Sequence, residues 1–154
     1  MTYLVVKWLH IVSSTVLFGT GVGSAYYMFF ASLNRDAKTA ATVVRYVVIA
    51  DWVFTTTTIV FQPLSGLYLA HLAHYPLDSA WIVWSFVLYF VAGACWLPVV
   101  VIQMRMRKLA ESAAAEGAPL PQRYFDLLKV WTALGIPAFV ALVVVFYLMV
   151  AKPA

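Results

Sequence analysis

The side chains best suited to bind a metal in this chain are its three histidines, His10, His71 and His74, whose ring nitrogens suit transition metals and haem iron. His10 lies inside an apolar run, about 10 Å into a bilayer if a helix rises about 1.5 Å per residue from Tyr3. An ionisable residue at that depth predicts a functional site, and packing against a neighbouring helix is the alternative. The single Cys95 has no second thiol for a disulfide or a cysteine-based site.

His71 and His74 lie three residues apart near one end of the second apolar run, so they share a helix face. If that helix is straight, His71 points about 180° away from Gln62, at about 100° per residue. Either histidine could join His10 as a nitrogen ligand, whereas solvation at the membrane surface is the alternative. Asp78 is the one carboxylate near them, which argues against a zinc or iron enzyme site.

A row of polar and small residues recurs every three or four positions along the second apolar run. The row consists of Asp51, Thr55, Thr58, Gln62, Ser65 and Gly66. Such spacing places the side chains on one helix face, and a polar face turns from lipid toward the bundle interior or a protein interface. Two interpretations stay open. Ser, Thr and Gly are the usual material of close helix packing in membranes, while a polar row could also form an ion path.

Two residues of this row differ from the small ones. Gln62 falls about 15 Å from its helix end, at the depth of His10 and Ser14 on the first run. Asp51 lies near the opposite end and requires compensation for its charge. The cations that could pair with it are Arg45, Arg105 and Lys129. A structural ion pair is one interpretation of Asp51, and a proton-relay carboxylate is the other.

Four apolar runs hold all of these residues and cover positions 3–30, 43–72, 80–103 and 130–151. Each run is long enough to cross a hydrocarbon core about 30 Å thick. The chain is 64% hydrophobic and 10% charged, whereas soluble domains are about 25% charged, which excludes a soluble fold. Short connections force neighbouring helices to run antiparallel. The sequence therefore predicts an all-α fold, with residues 1–154 forming one domain, an up-and-down four-helix transmembrane bundle.

The basic residues predict how the bundle sits in the membrane. Eight of the ten lysines and arginines lie in or next to two of the three connections between runs. Basic residues stay on the cytoplasmic side of inserting helices, so both termini are predicted to be periplasmic. We expect a multi-pass protein of the bacterial inner membrane, whose net charge of +4 meets anionic lipid rather than nucleic acid. Its expected partners are the lipid bilayer and either further copies of the chain, as a homo-oligomer, or a redox partner.

The segment Lys7-Trp8-Leu9-His10-Ile11, with Phe18-Gly19-Thr20-Gly21 after it, resembles the opening helix of several small bacterial membrane families. These include copper-resistance protein D and the HemJ-type protoporphyrinogen oxidases. The whole chain is similar to an uncharacterised relative of these families. The segments that carry this wider similarity are Ala50-Asp51-Trp52, Gln62-Pro63-Leu64-Ser65-Gly66, Gly93-Ala94-Cys95-Trp96-Leu97-Pro98 and Met149-Val150-Ala151-Lys152-Pro153.

The resemblance implies a ligand for His10, because the first-helix histidine of the oxidase family ligates haem b. That family also places a functional lysine in its third helix, whereas positions 80–103 contain no lysine here. The resemblance thus implies haem ligation rather than protoporphyrinogen oxidation. Copper transport is not implied either, because the five methionines are scattered and one cysteine is present as a soft ligand.

These observations lead to the hypothesis of a membrane protein with a redox or haem-handling role that binds haem b through His10. Small and polar residues should bound the cofactor pocket: Ser14, Gln62, Ser65 and Gly66. His71 is the first candidate for a second axial ligand, and no catalytic residue is assigned. Two other classes stay open. One is a small transporter or ion-conducting protein that uses the polar row, and the other is an assembly subunit without a ligand.

Overall fold

The computed structural model describes residues 1–153, which form five α-helices joined by one π-helical segment and short connections. The helices are α1 (Thr2–Leu33), α2 (Ala37–Ala50), the π-helix (Asp51–Thr55), α3 (Thr56–Leu72), α4 (Ala80–Glu116) and α5 (Gln122–Ala151). Because α2, the π-helix and α3 are continuous, they form one span, and the four resulting spans are long and apolar enough to cross a membrane. No strand occurs in the described residues. The predicted all-α, four-span bundle is confirmed, while the side on which the termini lie stays a prediction.

The helix ends follow local rules that the sequence already contains. The Asp36 carboxylate caps α2 by accepting the Thr39 backbone N–H at 2.8 Å and the Thr39 hydroxyl at 2.6 Å. Both hydrogen bonds lower the pKa of Asp36, and the bond from the Thr39 hydroxyl has the larger effect. At the end of α4, Gly117 has φ +65°, a left-handed conformation that costs glycine little. Pro121 then precedes α5, where its missing N–H is not needed.

The second span is not a regular α-helix throughout. The backbone N–H of Thr56 bonds the Asp51 carbonyl, five residues earlier, and the Thr56 hydroxyl donates to the same carbonyl at 3.0 Å. A π-helical turn inserts an extra residue into the helix and rotates the face that follows it. Asp51 and Thr55, at the two ends of this turn, are both buried. The turn therefore keeps a carboxylate and a hydroxyl inside the bundle.

A proline in α3 leaves a backbone group that another span satisfies. Pro63 has no N–H, so the Ile59 carbonyl four residues earlier lacks its usual helical donor. The Tyr89 hydroxyl of α4 donates to that carbonyl at 2.7 Å. An unpaired carbonyl is costly in lipid, so this bond ties α3 to α4 at the proline.

The bundle has two unlike halves. We call the half near connections 34–36 and 117–121 the basic half, and the half with both chain ends and connection 73–79 the terminal half. In the basic half, α1, α2, α4 and α5 close around a buried cluster. In the terminal half, α1 packs on α3 and α4 packs on α5, but α3 hardly contacts α4, and α1 meets α5 at few positions. The terminal half thus consists of two helix pairs with space between them.

Candidate cofactor site

The larger cavity lies between the two helix pairs of the terminal half. Its volume is about 530 Å³, within the range of roughly 300–1,000 Å³ that small-molecule and cofactor sites occupy. We call it the terminal cavity. Most of its wall is apolar, and its polar lining includes His10, Ser14 and Gln62. The space is closed enough and apolar enough to hold a flat hydrophobic group.

The imidazole of His10 is held in one orientation by α3. Its Nδ1 lies 2.7 Å from the Ser65 hydroxyl oxygen. That hydroxyl has a single proton, which it donates to the Phe61 carbonyl at 2.7 Å, with the Gln62 carbonyl at 3.2 Å. In the tautomer that keeps this Ser65 bond to Phe61, Ser65 accepts from His10 Nδ1–H, and Nε2 is unprotonated with its lone pair free. Nε2 makes no hydrogen bond within residues 1–153.

The other predicted pocket residues surround this imidazole in different ways. The Gln62 amide donates to the His10 backbone carbonyl at 2.9 Å, which fixes α1 against α3. A Cβ at Gly66 would lie 3.4 Å from His10 Cε1, so the missing side chain lets the ring lie close to the helix. Ser14 lines the cavity, and its hydroxyl donates to the Ile11 carbonyl at 2.7 Å. Ser65 stands behind the ring as its anchor and does not line the cavity.

The structure does not bring the other histidines to this cavity. His71 is exposed near the end of α3 and is absent from the part of the cavity wall that the described residues form. His74 is exposed in the connection that follows, with φ +54°. Within residues 1–153, no group of three or more His, Cys, Asp or Glu side chains is arranged to hold a metal ion. Met149 lines the cavity and has a thioether that can ligate soft metals.

Positive charge lies at the mouth of the terminal cavity, a feature that the sequence interpretation missed. Lys7 and Lys152, from opposite ends of the chain, both line it. The Lys152 ammonium donates to the Tyr75 hydroxyl at 2.9 Å and lies 4.6 Å from that ring's centroid. This hydrogen bond lowers the pKa of Tyr75. These lysines are the two cations outside the basic connections, which was the signal in the sequence that could have revealed the pair.

A second cavity, of about 370 Å³, lies deeper in the bundle, next to the first. We call it the central cavity. Leu17, Phe18 and Tyr89 line both cavities and separate them. Polar side chains from all four spans line it, with Gln103 on α4 and Asp51 in the π-helix among them.

Asp51 in the central cavity does not form the predicted ion pair. Its carboxylate accepts the Thr55 hydroxyl at 2.9 Å and a side-chain hydrogen bond from Gln103. The ion pairs that form between described residues are Arg107–Glu111 and Lys129–Asp126, and neither includes Asp51. The predicted cations point elsewhere: Arg105 is exposed, Lys129 is paired with Asp126, and the Arg45 guanidinium stacks on the Tyr46 ring. The prediction of a cation partner was wrong.

Comparison with known proteins identifies the family but not a ligand. Residues 4–153 match the profile of a family described as predicted integral membrane protein (DUF2269). The chain belongs to this family. No curated protein and no solved structure matches it. The match thus supports an integral membrane protein with four spans, and it does not extend to copper-resistance protein D or the HemJ-type oxidases.

The polar row of this DUF2269 protein faces the bundle interior, as predicted. Its buried members are Asp51, Thr55, Thr58, Gln62 and Ser65. Most of the hydroxyl groups donate within their own helix: Thr58 bonds the Phe54 carbonyl at 2.6 Å, and Thr55 bonds Asp51. Such local bonds are typical of close packing between membrane helices.

Proposed function

We propose that this member of the DUF2269 family is a haem b-binding protein of the bacterial inner membrane, with a redox or haem-handling role. The haem would occupy the terminal cavity with its iron ligated by His10. The observation that carries the proposal is the commitment of Nδ1 to Ser65, because it leaves Nε2 as a neutral nitrogen donor beside an apolar cavity. Such a second partner is what orients most metal-binding imidazoles in proteins.

The cavity's lining and charge fit this group. A porphyrin needs apolar walls, and the cavity provides them with Phe18 and Phe146 among others. Haem b also carries two propionates, which are anions at neutral pH. Lys7 and Lys152 at the mouth would neutralise them, since charge-assisted bonds to cations stabilise carboxylates near a membrane surface. The absence of a side chain at Gly66 leaves the histidine side of the cavity unobstructed.

The residues around the cavity also suggest the coordination number. Of the described histidines, His10 alone lines the cavity, so the earlier assignment of His71 as a second ligand has no support from geometry. We propose that His10 would be the single imidazole ligand; Met149 also lines the cavity and has a thioether that can ligate iron. Bound haem would supply one-electron chemistry between ferric and ferrous iron. His10 would hold the iron, and Ser65 would hold His10.

The test is the visible spectrum of protein produced with ample haem supply and purified in detergent. We expect a Soret band in the wild type and its loss in His10→Ala, with His71→Ala and His74→Ala unchanged because both side chains are exposed. Met149→Leu should shift the ferrous spectrum if the thioether ligates, and leave it unchanged if the iron has one protein ligand. Colourless wild-type protein, or a normal spectrum in His10→Ala, would refute haem ligation.

The ion-conducting alternative has weaker support. A continuous path would need polar groups free to pass an ion along the second span. The hydroxyls of Thr58 and Ser65 are instead committed to carbonyls of their own helix. If the wild-type protein is colourless, the interpretation as an assembly subunit without a ligand would follow.

A further inference from the structure

Three residues that line the central cavity have a buried polar atom that the rest of the described chain does not satisfy. Trp96 and Trp131 line it, and neither indole N–H has a hydrogen-bond partner within residues 1–153. The side-chain oxygen of Gln103, which is 3% exposed, also lacks a partner. Each such group costs free energy when it is buried unpaired, and most native proteins pair them. Three residues with such groups, two on α4 and one on α5, line one cavity. This indicates that a bound molecule completes their hydrogen bonds.

The chemistry of these atoms narrows the class of ligand. Indole N–H groups donate only, so the ligand must offer acceptors. The Gln103 oxygen and the Asp51 carboxylate accept, so the ligand must also offer donors when Asp51 is ionised. An organic ammonium would leave both indoles unpaired, and an anion would meet the Asp51 carboxylate. A neutral molecule with oxygens that accept and hydroxyls that donate satisfies both requirements.

The cavity's surroundings indicate how such a molecule enters. Val22 on α1 and Ile136 on α5 both line the cavity, and both are strongly exposed on the lipid-facing surface, at 42% and 60%. The two helices that carry them contact each other at few positions. Gly21 and Gly135 also line the cavity, and a Cβ at either would meet nothing within 4 Å. An apolar tail can therefore pass between α1 and α5 into the bilayer while the polar head stays inside.

We propose that the central cavity binds the head group of a quinone or quinol from the membrane. The ring oxygens accept from Trp96 and Trp131. In the quinol form, the hydroxyls donate to Gln103 and Asp51. The isoprenoid tail leaves between α1 and α5. This site is separate from the terminal cavity, so the proposal goes beyond haem binding and stands whether or not His10 ligates haem.

The test is equilibrium binding of decylubiquinone to the purified protein in detergent, by isothermal titration, with empty micelles as the background. The wild-type protein should bind decylubiquinone saturably, with heat beyond that of its partition into empty micelles. Trp131→Phe and Trp96→Phe each keep an aromatic ring and remove one indole N–H that would donate to a quinone oxygen. Each should weaken binding about tenfold, as loss of one hydrogen bond to a buried group does.

Matched variants separate this site from general effects. Trp84→Phe, on a lipid-facing side chain that is 58% exposed, should bind quinone as the wild type does. His10→Ala should also keep binding, so failure of the haem proposal and failure of this one give different results. Trp131→Phe and Trp96→Phe should remain folded, because removal of an unpaired buried polar group is neutral or stabilising.

Three results would overturn the proposal. Decylubiquinone could partition into micelles without saturation, which would mean that water alone satisfies the cavity. It could bind with equal affinity to wild type, Trp131→Phe and Trp96→Phe, which would place the quinone elsewhere. Tetraphenylphosphonium could bind with saturation and lose binding in Asp51→Asn while the quinone does not bind, which would assign the cavity to a lipophilic cation instead.

Discussion

The basic and terminal halves of the bundle use the same four spans in opposite ways. In the basic half, alanines such as Ala40 and Ala110, both fully buried, let the helices approach closely around Met106 and Tyr124. There the Tyr124 hydroxyl donates to Ser32 at 2.7 Å, and Ser32 donates to the Met28 carbonyl. In the terminal half, a glycine and a histidine stand where the basic half has packed side chains, and the terminal cavity takes up the space. The central cavity lies between it and the packed cluster.

This difference separates stability from binding. Membrane helices associate through close packing rather than through exclusion of water, because lipid is as apolar as the side chains. The half with continuous packing should therefore supply most of the stability, while the half with cavities should tolerate change and hold ligands. Substitutions matched between the two halves test this division.

The largest effect is expected in the basic half. Met106→Ala should lower the free energy of unfolding by about 2 kcal/mol or more, because its side chain is fully buried and its removal leaves a void. The measurement is an unfolding titration in mixed detergent micelles. Met149→Ala, at a cavity-lining methionine that is 36% exposed, is the matched control and should cost far less. Equal losses at the two sites would contradict the division of the bundle into a packed half and an open half.

An intermediate effect is expected at the anchor of His10. Ser65→Ala removes the acceptor that orients the imidazole, and partners of this kind change ligand affinity by about 10- to 100-fold. Haem affinity, measured by haem titration of the apoprotein, should fall in that range while the protein stays folded. Ser85→Ala is the control, because Ser85 is also buried at this cavity but donates to the Trp81 carbonyl. A similar loss in both variants would mean that Ser65 does not act through His10.

The smallest effect on stability is expected for two cysteine variants that test which half of the bundle faces the cytoplasm. In a Cys95→Ser background, Asp78→Cys and Glu116→Cys each add one thiol to an exposed connection or helix end. A membrane-impermeant maleimide should label position 78 in cells with a permeable outer membrane, and position 116 only after the inner membrane is opened. Neither change should alter stability. The reverse pattern of labelling would mean that the terminal half faces the cytoplasm and would contradict the predicted orientation.

Much of the fold was predictable because its causes are local. Apolar length predicted four spans. The Asp36 cap of α2 and the C-terminal glycine of α4 also follow from residues next to the helix ends. The site was predictable only in part. Polar spacing along α3 placed Gln62, Ser65 and Gly66 on the face that meets His10, because a helix face follows from residue intervals alone.

Residue order along the chain therefore sets which segments cross the membrane, where they end and which faces turn inward. Which of the inward groups meet depends on how the helices pack. The π-helical turn at Asp51 depends on packing around it, and it placed the carboxylate beside Gln103 rather than beside an arginine. The bond from Tyr89 to the carbonyl freed by Pro63 joins residues 30 positions apart. Such contacts depend on the rotation and separation of whole helices, which no residue interval within one helix specifies.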